Sequence, residues 1–369
     1  MTQRRVRAVY MRGGTSRCLC FHAEDLPEPG RERDSILLAA LGSPDPYGRQ
    51  LDGLGGGISS LSKACIVGPG TLVGADVDYT FAQVDVKTPL VDYVGNCGNC
   101  SSAIGPFAID EKLLSASGNG EAVVKIHNTN TKKLIVAHVP VKDGEAAIEG
   151  DFELPGVPGR GARIALDFLD PGGAVTGRLL PTGHARDVVD GVEASLVDAT
   201  NPIVFVRARD LGLTGAESPA AVDADRGVSE RLEKIRTAAA RVMGIPPGPS
   251  MPKVAFVAPS AAFTTLDGKR YAAGDADVLA RVISMGNCHR AFALTAAMCL
   301  AVAAQIDGTV VHECVTTIGA RYNDIRLAHP SGVLPIAAGV RARDGAPWAE
   351  RVTVYRTARR LMEGFVRVP

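Results

Sequence analysis

Two cysteines, Cys97 and Cys100, stand three positions apart in VDYVGNCGNCSSAIGPFAID, where a Gly-Asn doublet runs into an apolar segment. That spacing suits a metal clip, a redox pair, or a single acid or nucleophile whose neighbour only packs. A zinc ribbon needs a second C-x-x-C, and the other close pair is the C-x-C of Cys18 and Cys20. A thioredoxin-like pair opens a helix inside a βαβ unit, whereas strand-like segments here cluster ahead of the motif without alternating helices. At the start of a helix, the backbone N–H groups of the first turn lack partners, so they attract carboxylates and favour thiolate over thiol. A second copy, Gly286-Asn287-Cys288 followed by His289, precedes another apolar run and is expected to open a second helix in the same way. The plain reading of either copy is an ordinary capped helix start.

Two further stretches carry suitable groups. YMRGGTSRC reads as a strand and a Gly-Gly turn, with the spacing of neither a Walker loop nor a nucleophile elbow. Arg12, Thr15 and Ser16 in it could donate hydrogen bonds to a carboxylate, or the stretch could be a simple hairpin turn. LDGLGGGISSLSKACIVGP delivers Lys63 at the start of an apolar strand, either as a surface residue or as a lysine whose charge burial disfavours.

The elements around these residues are mostly β. The chain has 369 residues, 46% of them hydrophobic, with 40 basic and 40 acidic residues, which favours a globular enzyme of two domains. A balanced charge recommends neither nucleic acid nor an anionic membrane as partner, and leaves small-molecule chemistry. Eight scattered cysteines without a secretory leader argue against a disulfide framework and for a cytoplasmic location. The longest apolar run, AFALTAAMCLAVAA, is too short to cross a bilayer and reads as a helix buried on all sides.

The chain also repeats itself. Thr15 and Asp25-Leu26 align with Thr200 and Asp210-Leu211, Lys63 with Lys253, and Gly95-Asn96-Cys97 with Gly286-Asn287-Cys288, in one order and at nearly one spacing. Two related lobes follow, residues 1–184 and 185–369, with the last ~25 residues assigned to the second or returned to the first. A cleft between lobes is the natural place for chemistry. Each lobe has one apolar helix, Cys100 to about Leu114 and His289 to about Ile306, among strand candidates that include RRVRAVYM, DVDYTFAQVDVKT, KKLIVAHVPVK, KVAFVAP and GTVVHECV. RERDSILLAALG and SERLEKIRTAAARVMG read as amphipathic covering helices, and the loop-rich residues 154–184 as linker or lid. Runs of strands with few helices argue for an α+β fold.

MRGGTSR, GSPDPYGRQLDGLGGG with SK following, DVDYTFAQV, VDYVGNCGN, IHNTNTKKLIVAHVPVKDG, LPTG, DLGLTG, HPSGVLP and RTARRLMEG together resemble the PrpF-type isomerase family over essentially the whole chain. That family includes 2-methylaconitate cis-trans isomerase, methylitaconate Δ-isomerase and 4-oxalomesaconate tautomerase, and the methylitaconate branch looks closest. The resemblance implies a diaminopimelate-epimerase-like fold, with two pseudo-symmetric lobes whose strands wrap one central helix each. It implies an isomerase, without metal or organic cofactor, that moves or isomerises a C=C bond in a small unsaturated di- or tricarboxylate by 1,3-proton transfer. Lys63 and Cys97 map onto the family's acid/base pair, Cys100 then being a small packing residue. Lys63 would act without its proton and Cys97 with it. Substrate-binding positions would be Arg12, Thr15, Ser16, Asn96, Gly98, Asn99, Gly286, Asn287, Cys288, His289, His329 and Ser331. The chain departs from the pattern at Arg17, Cys18, Cys100 and Cys288. Two other readings stay open: a two-cysteine racemase or epimerase of the same fold using Cys97 and Cys288, and an accessory protein to an iron-sulfur dehydratase. The assembly state is left between monomer and homodimer.

Overall fold

The computed structural model describes residues 3–116, 118–246, 248, 251–315 and 325–369. The chain divides into two compact units, Met1–Asp167 with Tyr355–Pro369, and Phe168–Val354.

In the first unit, β1 (Arg4–Gly13) and β2 (Ser16–His22) form an antiparallel hairpin. Helix α1 (Arg31–Leu41) follows, then β3 (Lys63–Pro69), β4 (Val77–Val84), β5 (Val91–Asp92), helix α2 (Gly98–Asp110), β6 (Gly120–Asn128) and β7 (Lys133–Lys142). β2 runs parallel to β3, β3 antiparallel to β4, β4 antiparallel to β5 and parallel to β6, and β6 antiparallel to β7. The C-terminal strand Ala358–Val368 pairs antiparallel with β1.

Side-chain alternation sorts the chemistry. Leu19 and Phe21 of β2, Ala64 and Ile66 of β3, and Ala82 and Val84 of β4 form one core with Ile36, Leu37 and Leu41 of α1. The intervening residues therefore share the opposite face. Cys18, Cys20 and His22 lie there with Lys63 and Cys65, and with Tyr79, Phe81 and Gln83, which stand opposite Val67, Cys65 and Lys63 in register. Helix α2 covers this face, with the Phe107 ring 5.1 Å from the His22 ring. Almost every α2 residue is buried, as expected of a helix apolar all round.

The second unit repeats the path. Strands β8 (Val192–Ala199) and β9 (Asn201–Arg207) make the hairpin, and α3 (Pro219–Ala224) and α4 (Arg226–Val242) follow. After them come β10 (Lys253–Pro259), β11 (Val278–Ser284), β12 (Asn287–Cys288), α5 (Leu294–Ala304), α6 (Val310–Cys314), β13 (Ile325–His329) and β14 (Gly332–Arg343). β9 is parallel to β10, β10 antiparallel to β11, β11 antiparallel to β12 and parallel to β13, and β13 antiparallel to β14. The pairing order is that of the first unit, so the α+β duplication read from sequence holds strand for strand. α5 is buried along its whole length, and α4 lays Leu232, Ile235 and Ala239 on the sheet.

Several elements differ from the sequence reading. GTVVHECV is not a strand: the Thr309 hydroxyl accepts from His312 N at 3.0 Å and caps α6, whose buried residues Val310, Val311 and Cys314 follow a helical spacing. The second apolar helix does not start at His289. His289 N donates to Val282 O at 2.9 Å and Ala291 N to His289 Nδ1 at 3.1 Å, which holds the chain out of the helix until Leu294. The loop-rich stretch contains a strand, Ile164–Leu169, with every second residue buried. Among the described residues no helix is long and apolar enough to cross a membrane.

Gly105 lets α2 approach β7, since a Cβ there would lie 2.7 Å from Val139 Cγ2 and 3.2 Å from Ala137 Cβ. Gly105→Leu is expected to overpack this contact and lower unfolding free energy by about 1–3 kcal/mol in denaturant titration. An unchanged midpoint would show that the contact yields freely.

Candidate active site

Cys97 is the N-cap of α2, with extended backbone (φ −110°, ψ 100°), and its Sγ accepts from Cys100 N at 3.5 Å. It is the one half-buried thiol among eight free cysteines, the other seven being buried. The Cys100 sulfur beside it and burial push the Cys97 thiol up, against the opposing pull of the Lys63 charge. The acid form is thereby favoured at this position.

Lys63 opens β3 opposite Gln83 of β4 and is 8% exposed. Its Nζ donates to Gln83 Oε1 at 2.6 Å and lies 4.9 Å from the centre of the Phe81 ring. Gln83 is oriented in turn by donating to Ser62 O at 2.9 Å and Ser59 O at 3.1 Å. The loop before Lys63 is tied by buried Gln50, which donates to Ser43 Oγ at 2.9 Å and Ser62 Oγ at 2.7 Å and accepts from Gly57 N at 2.9 Å. Gln50 and Gln83 were not singled out in the sequence. Only the β alternation of DYTFAQV pointed to Gln83.

The β1–β2 turn comes directly against the start of α2. A Cβ on Gly13 would stand 2.6 Å from Asn99 O, and one on Gly14 (φ +53°) 2.3 Å from Asn99 Oδ1, so neither position admits a side chain. Asn99 Nδ2 donates to Thr15 Oγ1 at 3.1 Å, and its Oδ1 receives Thr15 N at 3.5 Å and Arg356 Nε at 3.1 Å. Arg12 Nη1 donates to Gly14 O and Thr357 O, both at 2.9 Å, so it braces the turn against the C-terminal strand. Ser16 is buried at the start of β2. The Asn96 carboxamide oxygen accepts from Ser101 Oγ at 3.4 Å, and Gly98 begins the helix.

Arg356 went unnoticed among the arginines of YRTARR. It is 4% exposed, and its other donated bond is to Tyr355 O at 2.8 Å. Among the described residues no carboxylate pairs with it, so burial pulls its pKa down to about 9, with the Cys97 thiol opposing. A buried guanidinium of this kind is a ready partner for an anion.

In the second unit, Met285 and Gly286 (φ +55° and +79°) turn β11 into β12, whose Cys288 is opposite Ile283. Cys288 N donates to Asp223 Oδ1 at 2.7 Å, and Asn287 Nδ2 to Met285 O at 3.1 Å. Burial pushes the Cys288 thiol up to about 12. Ser331 Oγ donates to Arg290 O at 2.6 Å and Ser331 N to His329 Nδ1 at 3.1 Å. Residues 286–290 and 329–331 are thus brought together. The repeat alignment of Cys288 with Cys97 is corrected, however: Asn287, opposite Ser284, takes the strand position that Asp92 has opposite Gln83, Cys288 falls one residue on, in the core with Val254 and Phe256, and the cap of α5 equivalent to Cys97 is Ala293.

A thiol-capped helix and a buried lysine, carried on one copy of a duplicated strand-wrapped helix, belong to an isomerase of the diaminopimelate-epimerase-like fold. The chain is a member of the PrpF family, which matches residues 3–369. It is 41% identical to a 2-methyl-aconitate isomerase of Cupriavidus necator, over 100% of this chain and 98% of the relative. A crystal structure of a methylitaconate-delta-isomerase superposes with a TM-score of 0.85 at 39% identity, covering 100% of this chain and 96% of that one. A hydroxyproline epimerase from Agrobacterium vitis, 14% identical over 99% of this chain and 93% of its own, shares the fold with a TM-score of 0.54.

With a raised pKa and partial exposure, Cys97 is expected to be the first cysteine labelled by iodoacetamide, slowly at pH 7 and about tenfold faster per pH unit through pH 8.5. Peptide mapping with mass spectrometry reads this out. A labelling rate already level at neutral pH contradicts the raised pKa.

Proposed function

We propose that this isomerase moves or rotates a C=C bond in a small unsaturated di- or tricarboxylate by 1,3-proton transfer, with Lys63 as base and Cys97 as acid. The names of the relatives, 2-methyl-aconitate isomerase and methylitaconate-delta-isomerase, support the substrate class. The observation that carries the reading is the buried Arg356, which has no carboxylate partner among the described residues and is tied through Asn99 to the helix that Cys97 caps. A substrate carboxylate on Arg356 would lie against the N–H groups of the first α2 turn, which stabilise negative charge.

In the forward direction neutral Lys63 removes a γ C–H proton, and the electron pair spreads into a dienolate that ends on the carboxylate. The Cys97 thiol then returns a proton at the α carbon, which leaves the double bond shifted. Lys63 ends protonated and Cys97 ends as thiolate, and proton exchange with solvent resets both. A cis-trans outcome uses the same dienolate, with rotation before reprotonation at the original carbon. Residues 286–289, His329 and Ser331 are proposed as further substrate-binding positions, supported by the hydrogen bonds that gather 286–290 and 329–331. With Ala293 at the N-cap of α5, the start of the second helix carries no thiol matching Cys97, and its Cys299 is buried further along, which speaks against a two-cysteine epimerase.

Proton NMR of a panel of unsaturated acids in deuterium oxide tests the activity. Lys63→Met and Cys97→Ser are expected each to lower turnover by about 10²–10⁴ with the fold intact. Either variant with near-normal turnover removes that residue from the pair. Arg356→Gln is expected to raise KM about 10- to 150-fold, the worth of a charge-assisted hydrogen bond, with partial recovery in Arg356→Lys. An unchanged KM removes the carboxylate from Arg356. Cys288→Ser is expected to raise KM modestly and keep turnover within about tenfold, as for lost uniform binding. A collapse equal to that of Cys97→Ser would restore the two-cysteine reading.

A further inference from the structure

We propose that Cys18, Cys65 and Cys100 form a binding site for one soft, thiophilic cation, with Cu(I) the ion suited to a three-sulfur donor set. The C-x-C and C-x-x-C pairs, remote in sequence, converge because β2, β3 and α2 meet. Cys18 and Cys20 share the α2 face of β2, Cys20 is in register with Cys65 of the parallel strand β3, and Cys100 in the first turn of α2 closes over them. The Sγ atoms of Cys18, Cys65 and Cys100 all lie within 4.8 Å of one another. Cys20 Sγ is 3.8 Å from Cys18 Sγ and flanks the set.

The donor set excludes hard ions. It holds no carboxylate, carbonyl or imidazole, so Mg²⁺ and Ca²⁺ find no suitable ligand, whereas thiolates select Cu(I) and Zn²⁺. Metal–sulfur bonds of about 2.3 Å place ligand sulfurs about 3.7–4 Å apart. The 4.8 Å limit on the sulfur separations exceeds that spacing by only about 1 Å. All three are at most 1% exposed, which suits a site that keeps water from a readily oxidised ion. Binding replaces three thiol protons by one Cu⁺, which leaves a net charge of two minus. Lys63 lies on the same side of the sheet and offsets part of that charge when it carries its proton. Cys97 is outside the set, and no step of the proposed isomerisation runs through the ion.

The test is anaerobic titration of the reduced full-length protein with Cu(I) against a chromophoric Cu(I) chelator. One equivalent is expected to be retained, with sulfur-to-copper charge-transfer absorption and an X-ray absorption spectrum that fits three sulfurs at about 2.3 Å. Cys18→Ala and Cys65→Ala, with folding checked by circular dichroism, should weaken retention about a hundredfold or more, while Cys97→Ser should keep it. The proposal is overturned if wild-type protein retains no more Cu(I) than Cys65→Ala. It is also overturned if retention disappears in Cys97→Ser alone, or if the wild-type spectrum fits fewer than three sulfurs. The spectrum needs no variant, so a variant that does not fold leaves the proposal open to refutation.

Discussion

The close approach of the Gly13-Gly14 turn to Asn99 is the contact on which the first unit's chemistry depends. With no side chain at either glycine, backbone reaches the first turn of α2, and the Asn99 carboxamide spends its donor on Thr15 and its acceptor on Arg356 and Thr15 N. One side chain thereby joins the β1–β2 hairpin, the chain at Arg356 just ahead of the C-terminal strand, and the helix capped by Cys97. Arg12 reinforces the junction from the other side through two backbone carbonyls. Lys63 comes to the same face by a separate route, through strand alternation and the Gln83 and Gln50 hydrogen bonds.

The second unit shows how much of this arrangement is scaffold. Its hairpin also meets the start of its buried helix, where Thr200 Oγ1 donates to Thr295 O at 2.9 Å and Asn201 Nδ2 to Thr295 Oγ1 at 2.7 Å. Yet α5 has no side-chain cap, and Ala293 stands where α2 has its thiol. Two copies of one chain path therefore carry different chemistry, a capping thiol in one and a polar cluster of His329, Ser331 and the 286–290 turn in the other.

The duplicated α+β architecture was legible in the sequence because its signals are local: two apolar helices, alternating strands, and Lys63 and Cys97 in distinctive loops. What escaped is non-local. Buried Arg356 looks in YRTARR like Arg359 and Arg360, and only its packing against Asn99, ahead of the C-terminal strand that carries the other two, separates it from them. Gln83 takes its role from the residue opposite it on another strand. Cys288 was aligned by its Gly-Asn neighbours, which here serve a strand turn, because His289 engages the backbone before a helix can begin. GTVVHECV has strand composition but a threonine cap, and the cap with its helical burial prevails. The accessory-protein reading has no place beside the isomerase relatives.

The central claim is that base and acid are separate groups, Lys63 and Cys97, acting on one dienolate. Solvent exchange in the two single variants separates them most directly, using proton NMR in deuterium oxide with an acid that wild-type enzyme isomerises. The account predicts that Cys97→Ser still exchanges the γ C–H protons while bond migration stops, because Lys63 can form the dienolate and return deuterium to the same carbon. Lys63→Met should lose both exchange and migration in that direction. The reverse pattern, with γ exchange retained in Lys63→Met and abolished in Cys97→Ser, would contradict it.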